Sequence, residues 1–228
     1  MTLEPIATVR TCFGGKFAVP RQSGLCPSAW GELVFAEAYR SPEAIRGIEG
    51  FSHLWLIFGF HAALAQGWNP TVRPPRLGGN QRVGVFASRS PFRPNGLGLS
   101  LVRLEGIDTA ARDAPVLLLG GIDLLDGTPV YDIKPYLPYA EAIPDAAAGF
   151  AAADIPRLQV EIADPAAAAF AGLPARAQAL IREALELDPR PAVRAADSAR
   201  VFGASLCGRN VRFTVNHGVC RVVELAAV

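Results

Sequence analysis

Short alternations of apolar and polar residues dominate the first 143 positions of the chain. Clusters of Gly, Pro, Asn and Asp separate the runs, which is typical of β-strands joined by turns. No strand–helix–strand rhythm appears, so the pattern predicts a barrel or a sandwich rather than a doubly wound sheet. The predicted strands span residues 6–10, 31–39, 53–60, 82–88, 97–107, 114–125 and 128–133.

Two details of this region matter later. Residues 41–50 predict one short helix, with Ser41 as its N-cap, Pro42 at its first position and Gly50 at its end. Residues 97–103 alternate, so Leu97, Leu99 and Leu101 share one face of a strand with Arg103, and Gly98, Ser100 and Val102 share the other.

The pattern changes after residue 143. Residues 144–156 form a predicted linker of small residues bounded by prolines. Residues 157–228 then predict a small α+β domain: a strand over 158–163, a helix over 174–187 that "DPRP" stops, and three further strands. Turns are predicted at Asn210 and at residues 216–218.

Composition adds few constraints. The net charge is +1, but residues 1–103 carry eleven Lys and Arg against five Asp and Glu, which is compatible with an anionic partner such as nucleic acid. No basic stretch followed by an apolar run opens the chain and no apolar run is long enough for a membrane span, so we expect a cytoplasmic protein. The four cysteines, Cys12, Cys26, Cys207 and Cys220, match no zinc spacing, and we expect reduced thiols and no metal.

Several common sites are excluded. The chain has no P-loop and no nucleophile elbow. The segment "NGLGLSL" lacks the third glycine of a dinucleotide fingerprint and leads into a strand rather than a helix. His53 and His61 lie eight residues apart on one apolar run, roughly 26 Å along a strand, which is too far to share a metal.

Four polar clusters interrupt the apolar chain: residues 16–22, 50–61, 68–96 and 123–141. Each one alone fits a solvated loop or a turn. Together they combine prolines that stiffen loops, long cationic side chains, and Asp, Lys and Tyr at one strand end. That combination favours a binding site, because stiff loops lose less entropy on binding.

These clusters carry a family resemblance. The segments "KFAVPRQ", "GFSHLWLIFGFH", "RVGVFASRSPFRPNGLGLSLV", "DLLDGTPVYDIKPYLPYAE" and "LDPRPA" resemble the TrmO-type tRNA (adenine-N6)-methyltransferases, the TsaA-like (YaeB-like) β-barrel family. The resemblance implies a mainly β fold: a TsaA-like β-barrel that binds S-adenosylmethionine over residues 1–143, a linker over 144–156, and a small α+β domain over 157–228. It also implies a homodimer that methylates N6 of N6-threonylcarbamoyladenosine next to the anticodon of threonine tRNA.

The resemblance also implies which residues contact the cofactor. They belong to "VPRQ", to the pair His61 and Ala62, to "ASRS", to "GLGLS" and to "LDGTP". The predicted contacts are Pro20, Arg21, Gln22, His61, Ala62, Arg89, Leu99, Asp126, Gly127, Thr128 and Pro129. Ala62 replaces the glutamine common in the family, which leaves only a backbone contact there. Arg21 or Arg89 would bind the methionine carboxylate, and Asp126 would lie near the sulfonium.

The acceptor nitrogen belongs to a urea-like group, so transfer needs a base or a polarised carbonyl. Asp132, Lys134 and Tyr136 of "YDIKPY", with Asp126, are the candidate catalytic residues. The predicted phosphate contacts are Lys16, Arg73, Arg76, Arg82 and Arg93. Pro91 and Pro94 are expected to fix the loop around Arg93 and to leave that side chain free for RNA or the partner subunit. Two alternatives stay open: a non-catalytic tRNA- or nucleotide-binding barrel, and an enzyme of this fold with a small-molecule acceptor.

Overall fold

Six strands form a closed barrel in a computed structural model that describes residues 2–191 and 200–228. The ring order is β1-β2-β7-β6-β3-β8. The strands are β1 (Ala7–Thr11), β2 (Trp30–Phe35), β3 (His53–Gly59), β6 (Leu97–Asp108), β7 (Val116–Gly120) and β8 (Pro129–Pro135), and the pair β4 (Thr71–Val72) and β5 (Val83–Gly84) lies between β3 and β6 in sequence. The predicted mainly β fold is confirmed.

Side chains at alternate positions of β3 and β6 fill the interior of the barrel. Leu54, Leu56 and Phe58 of β3 are buried, as are Ser100 and Val102 of β6, whereas the intervening residues are half-buried or exposed. The two strands pair antiparallel, with Leu54 opposite Val102 and Leu56 opposite Ser100. The leucines of β6 therefore face outward, and the smaller residues between them face the packed interior.

Two local predictions in this part are wrong. Residues 41–50 form two 3₁₀ turns, Pro42–Ile45 and Ile48–Gly50, because Gly47 between them takes a left-handed φ of 85°. The strand predicted over 82–88 is only two residues long. The Val85 amide donates to Pro70 O and the Ser88 amide donates back to Val85 O, so the backbone leaves the ladder in a 3₁₀ turn.

The C-terminal sheet has four strands in the order β10-β11-β12-β9. The one-turn helix α1 (Pro138–Glu141) precedes this sheet in sequence. The sheet comprises β9 (Gln159–Ile162), β10 (Phe202–Leu206), β11 (Arg209–Asn216) and β12 (Val219–Ala227). Strand β9 is parallel to β12, and the other neighbours are antiparallel. Helices α2 (Asp164–Ala171) and α3 (Ala175–Glu186) accompany it. The small α+β arrangement is confirmed, and α3 matches the predicted helix, but the alanine-rich α2 was not predicted.

The turns of this sheet correct one detail. Cys207 and Gly208, both at positive φ, connect β10 to β11, so Asn210 lies inside β11 and not in a turn. His217 and Gly218 have φ of 46° and 79° and connect β11 to β12, as predicted. Two consecutive left-handed residues are the geometry of a tight hairpin.

The chain divides into two compact units that are not contiguous in sequence. Unit 1 comprises residues 1–10, 32–119 and 127–154, and unit 2 comprises residues 11–31, 120–126 and 155–228. Within unit 2, hydrogen bonds join residues 11–31 to the C-terminal part of the chain. The Cys207 amide donates to Cys12 O at 2.9 Å, and the Glu183 carboxylate of α3 accepts from the amide and hydroxyl of Ser28 at 2.9 and 2.8 Å. The predicted boundaries at residues 143 and 157 stay predictions.

Candidate active site

The outward face of β3, β6 and β8 brings two kinds of predicted site residue together. Leu99 of β6 is paired with Ile57 of β3, and Ile57 is paired with Asp132 of β8. Directly paired residues point to the same side of a sheet, and neighbouring strands lie about 4.8 Å apart, so Leu99 and Asp132 are about 10 Å apart on one surface. Leu99 is 51% exposed there. A predicted cofactor contact thus lies beside a predicted catalytic residue.

Two of the three catalytic candidates of "YDIKPY" form an ion pair, and the third is held by β3. Asp132 Oδ2 lies 3.1 Å from Lys134 Nζ, and Asp132 Oδ1 accepts from the Ile133 amide at 2.9 Å. The Tyr136 amide donates to His53 O at 3.0 Å, and its ring makes edge contacts with the rings of His53 and Trp55 at 6.4 and 6.2 Å. Tyr136 therefore has fixed backbone and ring positions, whereas Asp132 and Lys134 form an accessible ion pair.

Glu141 closes the turn that follows these residues. Its Oε1 accepts from Trp55 Nε1 at 2.8 Å, and its Oε2 accepts from the Leu137 amide at 2.7 Å. Both carboxylate oxygens are thus bonded, one to β3 and one to the start of α1. Glu141 was not predicted as a site residue, although it ends the quoted segment "KPYLPYAE".

The turn that carries His61 and Ala62 lies against the start of β6. It is a 3₁₀ turn over His61–Gln66, and the Phe60 amide before it donates to Gly96 O at 2.8 Å. Leu64 packs over Gly96 so closely that a Cβ at Gly96 would lie 2.6 Å from Leu64 Cδ2. Two cofactor segments of the family, far apart in sequence, are therefore adjacent in unit 1.

Serine side chains hold the loop that carries Arg89. Ser88 Oγ donates to Val85 O at 2.8 Å and accepts from the Ser90 amide at 3.3 Å, and Ser90 Oγ accepts from the Phe92 amide at 3.3 Å. Such hydroxyl-to-backbone bonds replace a regular ladder. Arg89 is exposed between the two serines. Its role with the cofactor stays a prediction.

The expectation that Arg93 is left free is wrong. Its Nη1 donates to Val85 O at 3.1 Å and to Ser88 O at 2.7 Å, and its guanidinium lies 5.6 Å from the centre of the Phe86 ring. The physical reason is that one planar guanidinium can donate to two carbonyls of its own loop, Val85 O and Ser88 O. A contact of Arg93 with RNA stays a prediction.

The "LDGTP" segment forms a tight turn at the barrel end. Asp126 Oδ1 accepts from the Thr11 amide at 2.8 Å, and Thr11 Oγ1 donates to Leu124 O at 3.0 Å. Gly127 follows with a φ of 76°, and Thr128 is buried with its carbonyl bonded to the Val9 amide at 3.0 Å. Pro129 then pairs with Thr8 to begin β8. One Asp126 oxygen is thus used to hold the turn.

The remaining predicted cofactor contacts, residues 20–22, belong to unit 2. Pro20 is buried, Arg21 is exposed and Gln22 is half-buried. Lys16, a predicted phosphate contact, is exposed in the same segment, and Lys16, Pro20 and Arg21 line one cavity together with Leu187–Pro189. Their predicted roles are not tested by these positions.

Three of the predicted phosphate contacts lie in the β4–β5 region. Arg73, Arg76 and Arg82 are exposed. Arg76 donates to Ala153 O, and Arg82 Nη1 donates to Thr71 Oγ1 at 3.2 Å. The hairpin therefore presents cations from one short stretch of chain, as phosphate binding would require.

Tyr131 is a residue that the sequence-based prediction missed. The β3–β8 register shifts between Ile57 and Phe58, and Tyr131 lies at that irregularity. A Cβ at Gly59 would lie 2.9 Å from the Tyr131 ring, so only glycine allows the ring to lie there. The glycine inside the otherwise apolar run 53–60 was the available signal.

Among the described residues, no group of three or more His, Cys, Asp and Glu side chains could hold a metal ion. The helices of residues 2–191 and 200–228 are all too short or too polar to cross a membrane.

Fold and site together define a class: a six-stranded closed barrel with its candidate site on an outer sheet face and in flanking loops, accompanied by a small α+β sheet. Family models agree with this description. The tRNA-methyltransferase O N-terminal domain matches residues 8–142, and the TrmO C-terminal domain matches residues 155–228. The chain therefore belongs to the TrmO family.

Individual relatives support the assignment. The tRNA (adenine(37)-N6)-methyltransferase of Escherichia coli K12 is 48% identical over 227 residues, covering 97% of this chain and 96% of that protein. A putative S-adenosylmethionine-dependent methyltransferase of Pseudomonas aeruginosa is 46% identical, covering 93% of this chain and 91% of the relative. A crystal structure of TrmO from Pseudomonas aeruginosa superposes with a TM-score of 0.80 at 39% identity, covering 100% of this chain and 98% of that one.

Proposed function

We propose that the protein transfers a methyl group from S-adenosylmethionine to N6 of adenosine 37 in tRNA, with N6-threonylcarbamoyladenosine in threonine tRNA as the acceptor. The observation that supports the proposal is the outward row Leu99–Ile57–Asp132, in which a residue predicted to contact the cofactor shares a sheet face with the candidate base. Full-length similarity to relatives named for this reaction supports it.

The described residues fit the cofactor. An adenine ring needs apolar surface, and Leu64 and Leu99 present exposed apolar side chains near the His61 turn and on β6. A methionine carboxylate needs a guanidinium, which Arg89 offers in the same unit as Leu64 and Leu99. When bound, S-adenosylmethionine supplies an electrophilic methyl group. Asp126 has one carboxylate oxygen on Thr11, which leaves its second oxygen for a cationic group.

Asp132 is the proposed proton acceptor for the urea-like nitrogen. Its Oδ2 is accessible beside Lys134 Nζ, while Oδ1 is held by the Ile133 amide, so the carboxylate has a fixed orientation on the outer face. Lys134 would polarise the neighbouring carbonyl of the same substituent. Tyr136, immobilised against His53 and Trp55, would limit where the nucleobase of the substrate can lie.

Unit 1 offers a surface for a second copy of the chain. Trp68, Phe86, Leu64 and Leu99 are all more than half exposed on the segment 64–99, and clustered exposure of large apolar side chains marks interaction surfaces. We therefore propose a homodimer that buries the Trp68 and Phe86 rings, which leaves Leu64 and Leu99 for the cofactor and the arginines of the same segment for RNA. A tRNA substrate and the reaction of the relatives also favour a cytoplasmic location.

The decisive assay incubates the purified protein with methyl-labelled S-adenosylmethionine and tRNA and then separates the nucleosides. Label in N6-threonylcarbamoyladenosine supports the proposal. Cofactor and tRNA binding without transfer would instead indicate a non-catalytic binding barrel, and label only in small molecules would indicate a different acceptor.

Asp132→Asn tests the proposed proton acceptor. The substitution keeps size and the Ile133 contact but removes the charge, so we expect a loss of about 100-fold or more in transfer rate. Affinity for S-adenosylmethionine and for tRNA should stay within about twofold. Asp154→Asn, an exposed acid of unit 1 outside the candidate site, is the matched control. A normal rate with Asp132→Asn would exclude this residue as the base.

A further inference from the structure

Unit 2 contains a cavity that none of the predicted cofactor residues lines. It measures about 320 Å³ and is bordered by Phe17, Pro191, Arg200, Val201, Phe202 and Gly203. That volume is at the lower end of small-ligand sites, which begin at about 300 Å³. All the bordering residues belong to unit 2.

The cavity wall is aromatic. Phe17 and Phe202 are nearly parallel, with ring centres 6.3 Å apart and planes 6° apart, and Phe213 completes the group at 6.3 Å from Phe17 and 5.8 Å from Phe202. Phe202 and Phe213 are buried, so their positions are fixed, whereas Phe17 is half-buried. Phe17 therefore presents ring surface to the cavity on a rigid support.

A planar cation lies at the rim. The guanidinium carbon of Arg200 lies 5.5 Å from the centre of the Phe202 ring, and Arg200 is exposed. Arginine stacks on flat π systems as well as carrying charge, which an ammonium cannot do. The cavity thus combines the two surfaces on which unpaired nucleobases stack, an aromatic ring and a guanidinium plane.

A second cavity of about 220 Å³ shares Phe17 and carries cations. Lys16 and Arg21 border it. Among the described residues that border either cavity, Asp188 is the only acid, and its two carboxylate oxygens are taken by Arg190 Nε and Nη2, both at 2.8 Å. The local charge next to the aromatic cavity is therefore positive, which suits the phosphate of a nucleotide.

We propose that the cavity formed by Phe17, Phe202 and Arg200 holds an unpaired base of the RNA substrate, with the adjoining phosphate directed to Lys16. The site gives unit 2 a stacking contact with RNA whose bordering residues include none of the predicted cofactor contacts. The identity of the ligand as tRNA rests on the proposed function, whereas the stacking chemistry rests on the cavity alone.

The test measures affinity of the full chain for a threonine tRNA transcript with four variants. Arg200→Ala removes the planar cation, Arg200→Lys keeps its charge, and Phe17→Leu keeps apolar packing but removes the ring. Arg221→Ala is the control, because Arg221 is an exposed arginine on the opposite face of the same sheet, paired with Thr214 and not with the Phe202–Phe213–Val222 row.

Loss of one stacked base weakens binding by about tenfold or more. We expect that loss for Arg200→Ala and Phe17→Leu, a partial loss for Arg200→Lys, and less than about twofold for Arg221→Ala. The loss should persist at high salt, because stacking does not depend on counterion release. A melting temperature of Phe17→Leu close to that of the wild type confirms that this variant is folded. The Arg200 variants need no such check, because Arg200 is exposed and its replacement leaves the core intact.

Wild-type affinity in Arg200→Ala would overturn the proposal, and so would full rescue by Arg200→Lys, which would indicate a phosphate contact only. Ultraviolet cross-linking of the bound transcript gives an independent readout: cross-links on peptides with Phe17 or Phe202 support the site, and cross-links confined to other peptides contradict it. If wild-type protein binds the transcript but transfers no methyl group to tRNA that carries N6-threonylcarbamoyladenosine, the proposed function fails while this binding result stands.

Discussion

At the scale of single residues, some arginine side chains hold the backbone or an acid of their own loop. Arg93 bonds two carbonyls of its own loop, and Arg190 is buried against Asp188. A count of cations therefore overestimates the charge available to RNA. Exposed residues such as Arg73 and Arg82 are better candidates for phosphate contacts.

Arg93 gives a direct test of this distinction. Arg93→Ala and Arg93→Lys both remove the paired bonds to Val85 and Ser88, so both should loosen the Arg89 loop and weaken S-adenosylmethionine binding by about fivefold or more. Calorimetric titration measures the change. If Arg93→Lys binds the cofactor normally and only Arg93→Ala loses tRNA affinity, the arginine acts through its charge on RNA and not on the loop.

The thiols give a second prediction at this scale. Burial raises the pKa of Cys12 to about 11 and raises the pKa values of Cys26, Cys207 and Cys220 to about 12, from an ordinary 9.0. A raised folded-state pKa gives stability that is complete below pH 9 and is lost as the pH rises toward 11 and 12, since the unfolded chain ionises first. Denaturant unfolding at pH 8 and pH 10 should show the decrease.

Cys220→Ala serves as the control for that experiment, because the buried thiol is removed while most of its packing remains. The variant should lose less stability between pH 8 and pH 10 than the wild type does. An equal loss in both proteins would assign the pH dependence to other groups. The same pKa values predict slow reaction of the folded thiols with disulfide reagents at pH 8.

At the scale of elements, the strand order of the barrel decides which predicted residues meet. Hydrophobic alternation located β3, β6 and β8, and the three-residue turn at 216–218 was also predictable, because local sequence determines both. The outward row Leu99–Ile57–Asp132 was not, since register depends on pairing between distant strands. Hydrophobicity alone would assign the leucine face of β6 to the interior. Instead the interior contains Ser100, which is 3% exposed and lies opposite Leu56.

Gly98 of β6 offers a test of that packing. A Cβ at Gly98 would lie 2.2 Å from Phe58 Cζ, so Gly98→Ala must displace a buried ring and should destabilise the protein by about 2 kcal/mol or more. Gly106→Ala on the same strand is the matched control, because its nearest neighbour is Leu118 Cδ1 at an ordinary 3.7 Å. Denaturant unfolding compares the two, and similar stabilities would contradict the close packing of Phe58.

At the scale of the whole molecule, the residues that the family resemblance groups as cofactor contacts are divided between the two units. The Lys16–Gln22 segment, near the start of the chain, belongs to unit 2, whereas His61, Arg89 and Leu99 belong to unit 1. Only the family resemblance groups these residues. The sequence does not predict that residues 16–22 belong with the C-terminal sheet, because no local pattern encodes contacts such as Phe17 with Phe202.

The proposed dimer yields a prediction at this scale. Phe86→Ser and Trp68→Ser remove large exposed rings without disturbing a core, so both variants should stay folded and shift the protein toward monomer. Light scattering after size-exclusion chromatography measures the mass. Tyr139→Ser, at an exposed ring outside the segment 64–99, is the control. A wild-type protein that is monomeric, or variants that remain dimeric, would exclude this surface as the interface.

The contact of Phe17 with Phe202 and Phe213 has a consequence for synthesis on the ribosome. Residues 11–31 are among the first to emerge, yet their packing partners in β10 and β11 are among the last. At ordinary translation rates the apolar side chains of that segment wait on the order of ten seconds without their native neighbours. The nascent chain is therefore exposed to aggregation and to chaperone binding at its N-terminus until the last strands have been made.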